Sequence, residues 1–410
     1  MAKVFSGRTI TAIDVGTTKI CVLVANQIDK NYIEVLGVGK APSDGLRKGV
    51  VVDVARTVAS IQQAVKEAEL MSGQTIESAS IGISGGHIHS INSSGAVPIK
   101  SGQVKIIDIE AVLAAAKAVP VAEGQQILHV LPQYFQIDGC DKLHDPTDMF
   151  GVRLEVQAHI ITGSVASVQN LVSCCESAGV KVEDIVLEQL ASAEAVLSAD
   201  ERQLGVGVLD IGGGTSDLAL YQHGSIRHTM VLPVAGNHFT NDLAIGLRTT
   251  LSDAERIKKS YGMFGDIPNM EPEKIEIEMA QGGKTRIVTL NDLVLVLEPR
   301  ATELLMLVKK EIEEKKLQSL IRSGLVLTGG GSLLVGIQEI AQTVFDCDVR
   351  IGNPRLQFGL AESLNSPVYA TGYGLLLHTL KGKDEKFRDV SGPAVKKVLM
   401  RMKSWISDFF

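Results

Sequence analysis

The sequence carries one internal repeat, and this repeat restricts the possible folds more than any other feature. The segments IDVGTTKI (13–20) and LDIGGGTSDL (209–218) each read as a strand, an aspartate, a glycine-rich turn and a second strand. Their aspartates, Asp14 and Asp210, are 196 residues apart. A single pair of such hairpins predicts a chain built from two related α/β halves.

The hydrophobic pattern around these hairpins predicts how the chain divides. An inserted module interrupts each half, and a helix at about 299–316 follows the second module. A polar stretch precedes the last segment, which is apolar and basic. The expected divisions are a first half at 1–84, 162–203 and 363–380 with an α+β module at 85–161, a second half at 204–240 and 299–362 with a module at 241–298, a linker at 381–393, and a terminal segment at 394–410.

The composition is that of an ordinary globular protein, with 45% hydrophobic and 21% charged residues, and it excludes a disordered or fibrous chain. The net charge of −7 argues against a broadly basic surface, so no nucleic-acid partner is expected. The five cysteines form no CxxC pair and no zinc spacing, which is typical of reduced thiols in the cytoplasm. No segment reads as a signal peptide or a membrane-spanning helix.

The two glycine-rich turns are suited to binding phosphate. Glycine lets the backbone approach a ligand closely, and successive N–H groups in such turns form a concavity for phosphate oxygens. Thr17, Thr18 and Thr215 add hydroxyl donors, while Asp14 and Asp210 end strands where carboxylates can hold Mg²⁺ through its retained waters. One such turn alone would also suit an ordinary hairpin, whereas two copies favour a phosphate site.

A third glycine-rich turn, TGGGS at 328–332, lies between a predicted strand and a helix predicted at LLVGIQEI. The N-terminus of a helix after such a turn offers free N–H groups to a nucleotide. The same turn would also serve as a plain strand–helix connector, so both interpretations stay open.

Five segments resemble the phosphate, connecting and adenosine motifs of the actin, heat-shock-chaperone and sugar-kinase superfamily: IDVGTTKI, LEQLASAEAVL, LDIGGGTSDL, LVLTGGGSLL and VYATGYGLLL. Within it, the chain is similar to the FtsA family of bacterial division proteins over nearly its whole length. This similarity is carried by ISGGHIHSINSSGAVPI, LPVAGNHFTNDLA and the basic terminal segment. The resemblance implies an α/β, actin-like fold of two related halves, each with a small inserted module, and a C-terminal amphipathic helix after a flexible linker.

The resemblance also implies that ATP and Mg²⁺ bind between the halves, with the ion held through water by Asp14 and Asp210. Glu255 and Lys258, in SDAERIKKSYG, match a helix that clasps the adenosine, although Ser252-x-x-Glu255 also fits a capping box that only starts a helix. The positions that match the nucleotide-binding motifs are Asp14, Gly16, Thr17, Thr18, Lys19, Asp210, Gly212, Gly213, Gly214, Thr215, Glu255, Lys258, Gly329, Gly330 and Gly331.

Glu188, in LEQLAS, matches the catalytic carboxylate that positions the hydrolytic water in related ATPases. A general base needs to lie only one water from the γ-phosphate. The related motif is usually Glu-Pro, whereas Gln189 follows here, so we expect at most a weak ATPase. A solvated glutamate at a helix start is the alternative interpretation.

The terminal segment has the composition of a helix that lies in the membrane interface. Apolar residues recur at helical spacing up to the last residue, and basic residues occupy the other faces. Docking of the same stripe onto the body of the protein is the alternative. The residues expected to contact anionic inner-membrane lipids are Val395, Lys396, Lys397, Leu399, Arg401, Met402, Trp405, Ile406 and Phe409.

The resemblance implies a peripheral protein that polymerises on the cytoplasmic face of the membrane at the division site and tethers the FtsZ ring there. The implied partners are FtsZ, further copies of the chain, later division proteins and lipid. Arg300, one residue after Pro299 at the expected helix start, is the candidate FtsZ contact, with a solvated first-turn arginine as the alternative. Two other functions stay open: a soluble phosphotransferase of the sugar- or acetate-kinase type, and a pilus-assembly adaptor of the same fold.

Overall fold

The computed structural model describes residues 8–29, 32–265, 274–280, 283–356 and 358–384. The expected membrane segment at 394–410, with its predicted lipid contacts from Val395 to Phe409, lies outside these residues. Most of the expected linker at 381–393 lies outside them too. No helix within the described ranges is long and apolar enough to cross a bilayer.

Strands and helices alternate along most of the chain. The elements up to residue 187 are β1 (Arg8–Val15), β2 (Lys19–Gln27), β3 (Ile33–Pro42), β4 (Leu46–Arg47), β5 (Val50–Val51), α1 (Val54–Ser72), β6 (Ser78–Ile83), β7 (His89–Pro98), α2 (Ile106–Lys117), β8 (Gln125–Ile137), β9 (Arg153–Ser164), α3 (Val165–Ser177) and β10 (Lys181–Leu187). The elements after it are α4 (Glu188–Val196), α5 (Ala199–Leu204), β11 (Val206–Ile211), β12 (Ser216–Gln222), β13 (Ser225–Leu232), α6 (Gly236–Leu247), α7 (Leu251–Tyr261), β14 (Lys274–Glu278), β15 (Thr285–Thr289), α8 (Leu290–Glu314), β16 (Leu325–Thr328), α9 (Ile337–Phe345), β17 (Val349–Ile351), β18 (Phe358–Gly359), α10 (Ala361–Leu364) and α11 (Ala370–Asp384).

Two mixed sheets form the centre of the protein, one in each half. The strand order is β10-β6-β1-β2-β3-β18 in the first sheet and β13-β12-β11-β16-β17 in the second. In each sheet a central strand pairs antiparallel with its hairpin partner and parallel with its other neighbour: β1 with β2 and β6, and β11 with β12 and β16. The predicted repeat of two related α/β halves is therefore confirmed.

The hairpin strands are nearly continuous hydrophobic runs because the sheets are buried on both faces. Every residue of β11 is buried, as is β1 from Ile10 onwards. Helix α4 contacts strands of both sheets and packs along α11. A side chain at Gly374 of α11 would collide with the backbone of Ala191 in α4, so this glycine allows the two helices their close approach.

Each half also carries a smaller unit. In the first half, β7, β9 and β8 form a three-stranded antiparallel sheet on which α2 packs, with a core of its own that includes Val112, Leu113 and Phe135. In the second half, the β14–β15 hairpin contacts α8 and is joined to α7 by a hydrogen bond from the Glu278 N–H to Asp253. These units leave the hairpins at the centre of the molecule free to form a site.

The expected start of the helix at about 299–316 is wrong, because α8 begins at Leu290 and contains Pro299. Thr289 and Asp292 form the capping box that starts the helix. The sequence interpretation missed this capping box because it took Pro299 as the mark of the helix start. A buried stripe runs through the proline, so tertiary packing holds the helix together there. The buried residues on both sides of it are Leu290, Leu293, Val294, Leu297, Ala301, Leu304 and Leu305.

Candidate functional site

The two glycine-rich turns face each other directly. Each hairpin closes in the same way, with the Gly16 N–H donating to the Lys19 carbonyl at 3.0 Å and the Gly212 N–H donating to the Thr215 carbonyl at 2.9 Å. A side chain at Gly213 would collide with Thr18, and one at Gly214 would collide with Thr17. The structure therefore brings together the residues predicted to hold the phosphates, and glycine is required where the turns meet.

A cluster of carboxylates lies behind these turns. Asp14 and Asp210 are each only 6% exposed. Asp210 accepts hydrogen bonds from the hydroxyls of Ser192 on α4 and Thr371 on α11. Burial raises the pKa of Asp210. The hydrogen bond from Ser192 lowers this pKa in part, and the charge of Asp14 raises it further. Two buried negative groups thus lie where the hairpins meet, in surroundings that favour a compensating cation.

Lys19 supplies one positive charge to this cluster. Its ammonium group lies 3.3 Å from the Asp14 carboxylate and donates to the Val368 carbonyl at 2.6 Å. Burial lowers the pKa of Lys19, but the charge and hydrogen bond of Asp14 and the nearby Cys21 and Tyr369 together raise it by more, so the net shift is upward. Lys19 therefore stays charged and holds the first hairpin to the segment that leads into α11.

Glu188 is the first residue of α4 and is half-buried beside the same carboxylates. Its side chain packs against the backbone of Gly82, where an added Cβ would lie 3.1 Å from Glu188 Cγ. Burial and the charges of Asp14 and Asp217 raise the pKa of Glu188 well above its ordinary value. A shift of this kind is common among carboxyl groups at functional sites, and it distinguishes Glu188 from a solvated glutamate.

Asp217 is the functional candidate that the sequence interpretation missed. It lies opposite Asp210 in the β11–β12 pair, is 2% exposed, and accepts a hydrogen bond from the Ser84 hydroxyl at 2.5 Å. Burial and the charge of Asp210 raise the pKa of Asp217, and the hydrogen bond from Ser84 lowers it in part. The net result is a pKa of about 7. The signal was present in the motif, since LDIGGGTSDL places a second carboxylate directly before the apolar residues of a strand.

Glu255 and Lys258 lie together on α7. Their side chains form an ion pair at 2.6 Å, and both bond to the Thr240 hydroxyl. Lys258 also donates to the carbonyl of Gly236 at 3.1 Å, and the Gly236 N–H donates to the Gly212 carbonyl at 3.0 Å. The pair is thus connected to the second hairpin through the start of α6.

The capping box predicted at Ser252 is wrong. Thr250 caps α7, because its hydroxyl accepts from the N–H of Asp253 at 3.1 Å. Glu255 instead takes part in the cluster with Lys258, so helix initiation does not explain it.

The third glycine-rich turn lies directly beside the second hairpin. Gly329 has φ of 78°, and a side chain there would collide with the Asp210 carboxylate. The prediction that a helix starts directly after this turn is wrong. A 3-10 turn occupies Gly330–Leu333, and α9 begins only at Ile337. The turn therefore approaches the carboxylate cluster with its backbone rather than with a helix N-terminus.

Arg300 lies inside α8, away from the carboxylate cluster. Its guanidinium pairs with Asp242 of α6 at 2.6 Å and with Glu303 one turn along its own helix. It is therefore neither a first-turn residue nor simply solvated, and a partner that binds here must compete with two carboxylates.

Within the part of the chain that the structure describes, no group of three or more His, Cys, Asp or Glu side chains is placed to ligate a metal directly. An ion at the hairpins would have to keep most of its water, as Mg²⁺ does.

Comparisons with known proteins agree with this architecture. The profile of the family described as Cell division protein FtsA matches residues 207–374, and the profile of the SHS2 domain inserted in FtsA matches residues 85–162. The cell division protein FtsA of Pseudomonas aeruginosa is 42% identical over 417 aligned residues, covering 100% of both chains. Those of Neisseria meningitidis and Escherichia coli K12 are 39% and 38% identical, covering 98% and 100% of this chain and 99% and 100% of the relative.

Two solved structures share the fold at low identity. The PilM–PilN type IV pilus biogenesis complex includes a chain with a TM-score of 0.65 and 18% identity, over 90% of this chain and 98% of that one. MreB5 of Spiroplasma citri, bound to ADP, has a TM-score of 0.58 and 16% identity, over 93% and 99%. These similarities support the α/β, actin-like fold, and the full-length relatives establish that the chain belongs to the FtsA family of cell division proteins.

Proposed function

We propose that this protein binds ATP with Mg²⁺ between its two hairpins, polymerises on the cytoplasmic face of the membrane at the division site, and tethers FtsZ there. Membership of the FtsA family supports the division role. The observation that carries the nucleotide site is the contact of Gly213 and Gly214 with Thr18 and Thr17, with Asp14 and Asp210 behind it. A tether at this place would also help to recruit later division proteins.

The carboxylate cluster fits Mg²⁺ held through water. Burial, together with the neighbouring carboxylates, raises the pKa values of Asp210 and Glu188, and a cation bound here would favour their ionised forms. Bound Mg²⁺ would supply positive charge that offsets the phosphate oxygens. Asp14 and Asp210 would hold its waters, while Thr17, Thr18 and the turn N–H groups would orient the phosphates.

Glu188 is the proposed catalytic residue. Burial and the neighbouring carboxylates favour the protonated form of Glu188, and a cation or another positive charge that reaches the cluster would favour its carboxylate. A carboxylate formed in this way could orient one water and accept its proton. Because Gln189 follows Glu188 where related ATPases have a proline, slow hydrolysis is the expected behaviour.

The inserted module carries the surface that we propose for self-association. The module exposes the apolar side chains of Ile106, Ile107, Phe150 and Val152, with Phe150 78% exposed. Hydrogen bonds join the two segments that carry them, from the Val104 N–H to the Met149 carbonyl and from the Gly151 N–H to the Gly102 carbonyl. An apolar patch of this kind marks an interaction site, and a head-to-tail contact through it would build a filament.

FtsZ is proposed to bind where α6 and α8 lie side by side. Arg300 bridges the helices through Asp242, and Gly246 of α6 packs against Val296 of α8. The neighbouring Ile245 and Leu295 are both exposed, so the charged pair lies among apolar side chains. The family resemblance implies an acidic and apolar peptide for the FtsZ tail. A carboxylate of this peptide could replace Asp242 and Glu303 as the ion-pair partner of Arg300.

The FtsZ contact is tested by fluorescence anisotropy with an FtsZ tail peptide. Arg300→Glu and Arg300→Gln should both weaken binding, the first about tenfold or more because it also reverses the charge. Arg322→Glu, at an exposed arginine elsewhere in the same half, is the matched control and should bind as the wild type does. Unchanged affinity in both Arg300 variants, with thermal unfolding showing intact folds, would place the site elsewhere.

The tether is tested by sedimenting FtsZ with anionic vesicles. FtsZ should pellet with the vesicles only when the full chain is present, and not with a chain that lacks residues 394–410 or with the Trp405→Glu variant. Trp405 is the only tryptophan, so its emission should shift to the blue when vesicles are added. FtsZ recruitment that survives loss of residues 394–410 would refute the tether.

A further inference from the structure

Among the described residues, the inserted module (residues 85–162) and Ser84, which leads into it, contact the β12–β13 hairpin of the second half. The first contact is at Ser84, the residue that leads from β6 into the module. Its hydroxyl donates to Asp217 at 2.5 Å and lies 3.3 Å from the hydroxyl of Thr215. Thr215 and Asp217 belong to the second glycine-rich hairpin, so the first residue of the connection touches the proposed nucleotide site.

The second contact is formed by the sheet of the inserted module and β13, the edge strand of the second sheet. His159 lies between Asn92 and Thr229, with Nδ1 2.7 Å from Asn92 Oδ1 and Nε2 2.9 Å from Thr229 Oγ1. Ser90 donates to the Thr229 carbonyl at 2.9 Å, and Gln133 donates to the Arg227 carbonyl at 3.2 Å. The module therefore satisfies backbone groups that an edge strand would otherwise leave unpaired.

The hydrogen-bond network fixes how His159 is protonated. Asn92 Oδ1 already accepts from the Gln133 amide, so it acts as the acceptor for a proton on His159 Nδ1. Nε2 of the neutral ring is then free to accept from the Thr229 hydroxyl. Burial and the charge of His228 lower the pKa of His159 to about 3, which agrees with a neutral ring. His159 keeps both of its hydrogen bonds only while the module stays docked, because Thr229 belongs to β13.

The β12–β13 hairpin joins these two contacts to the phosphate turn. The Ser216 hydroxyl donates to the carbonyl of Val234, just beyond β13. The chain then enters α6, whose Gly236 and Asn237 N–H groups donate to the carbonyls of Gly212 and Gly213 at 3.0 and 2.8 Å. A shift of the phosphate turn would therefore be passed to both ends of the hairpin.

We propose that Ser84 is a positioning residue that ties the inserted module to the nucleotide site, with the His159 contact as the second attachment. Nucleotide occupancy and the docking of the module are then linked. A cation or phosphate that moves Thr215 and Asp217 also moves Ser84, and by reciprocity a docked module favours the occupied site. This inference rests on the proposed nucleotide binding and goes further, because it connects that site to the surface proposed for self-association.

The test is hydrogen–deuterium exchange of the full chain with and without Mg·ATP. The Mg·ATP concentration that saturates each protein is first determined by titration calorimetry. In the wild type, Mg·ATP should slow exchange at least about fivefold at residues 85–92 and 225–231. Ser84→Ala should lose most of this effect, and Ser84→Thr, which keeps the hydroxyl, should retain it. Ser94→Ala, at an exposed serine of β7, is the control and should behave as the wild type does.

The outcomes separate this inference from the proposed function. Nucleotide that binds to the wild type without slowing exchange at residues 85–92, or that slows it equally in Ser84→Ala, would overturn the linkage alone. A wild type that binds no nucleotide would overturn both. Because Ser84 is buried and its alanine variant could fail to fold, His159→Gln offers a second route. It should abolish the nucleotide-dependent protection at 225–231, and full protection there would also overturn the proposal.

Discussion

Replacement of Asp217 by asparagine should stabilise the nucleotide-free protein, in contrast to most substitutions of buried polar residues. The carboxyl is 2% exposed, and burial together with the nearby charge of Asp210 raises its pKa from 3.8 to about 7. Asparagine keeps an oxygen that can accept the hydrogen bond from Ser84, but it never ionises. The substitution therefore removes the unfavourable buried charge while preserving the contact.

The size of the gain follows from the shift in pKa. One pKa unit corresponds to about 1.4 kcal/mol, so a rise from 3.8 to about 7 corresponds to about 4 kcal/mol at pH 8. Because the folded-state pKa of Asp217 is raised, its favourable contribution is complete below pH 3.8 and is lost as the pH rises through about 7. The advantage of the asparagine variant should therefore be below about 1 kcal/mol at pH 4 and reach about 4 kcal/mol at pH 8.

Urea unfolding at pH 4 and pH 8, followed by circular dichroism, measures this difference in the free energy of unfolding. Asp141→Asn is the matched control, since Asp141 is exposed, and it should leave that free energy unchanged at both pH values. Equal stability of wild type and Asp217→Asn at pH 8 would show that the carboxylate is favourably compensated without nucleotide. The reasoning about unbalanced charge in the cluster would then be refuted.

Three further perturbations test other parts of the structure. Because burial lowers the pKa of His159 to about 3, the contribution of His159 to the free energy of unfolding should fall by about 2 kcal/mol between pH 7 and pH 5, and urea unfolding should show this as a change in the difference between the wild type and His159→Gln. Gly374→Ala should destabilise the protein by about 1–3 kcal/mol, seen as a lower Tm, because the methyl group meets the Ala191 backbone; an unchanged Tm would mean that the helices separate freely. Glu188→Ala should abolish phosphate release while Mg·ATP still binds, and loss of binding instead would make Glu188 a structural residue.

The hairpins could be predicted from the sequence because their information is local. An apolar strand, an aspartate and a glycine-rich turn follow one another within about ten residues at both sites, and the structure forms β1–β2 and β11–β12 there. The predicted start of α8 was wrong because Pro299 is a strong local signal for a helix start. The packing that stabilises the helix on both sides of the proline comes from other elements of the fold.

The connections of the carboxylate cluster could not be predicted in this way. Ser84 meets Asp217 across 133 positions of sequence, and His159 meets Thr229 across 70. No local pattern encodes such pairs, since they depend on the register of strands and on how the inserted module lies against β13. Asp217 itself was visible in its motif, but its role follows only from its burial and from its partner Ser84.

The most direct test of the nucleotide site is calorimetric titration of Mg·ATP into the full chain. We expect one saturable site in the wild type, the same affinity in Asp141→Asn, and an affinity at least about tenfold weaker in Asp210→Ala, because that variant removes a carboxylate at the point where the hairpins meet. No binding to the wild type, or undiminished affinity in Asp210→Ala, would contradict a nucleotide site between the two hairpins.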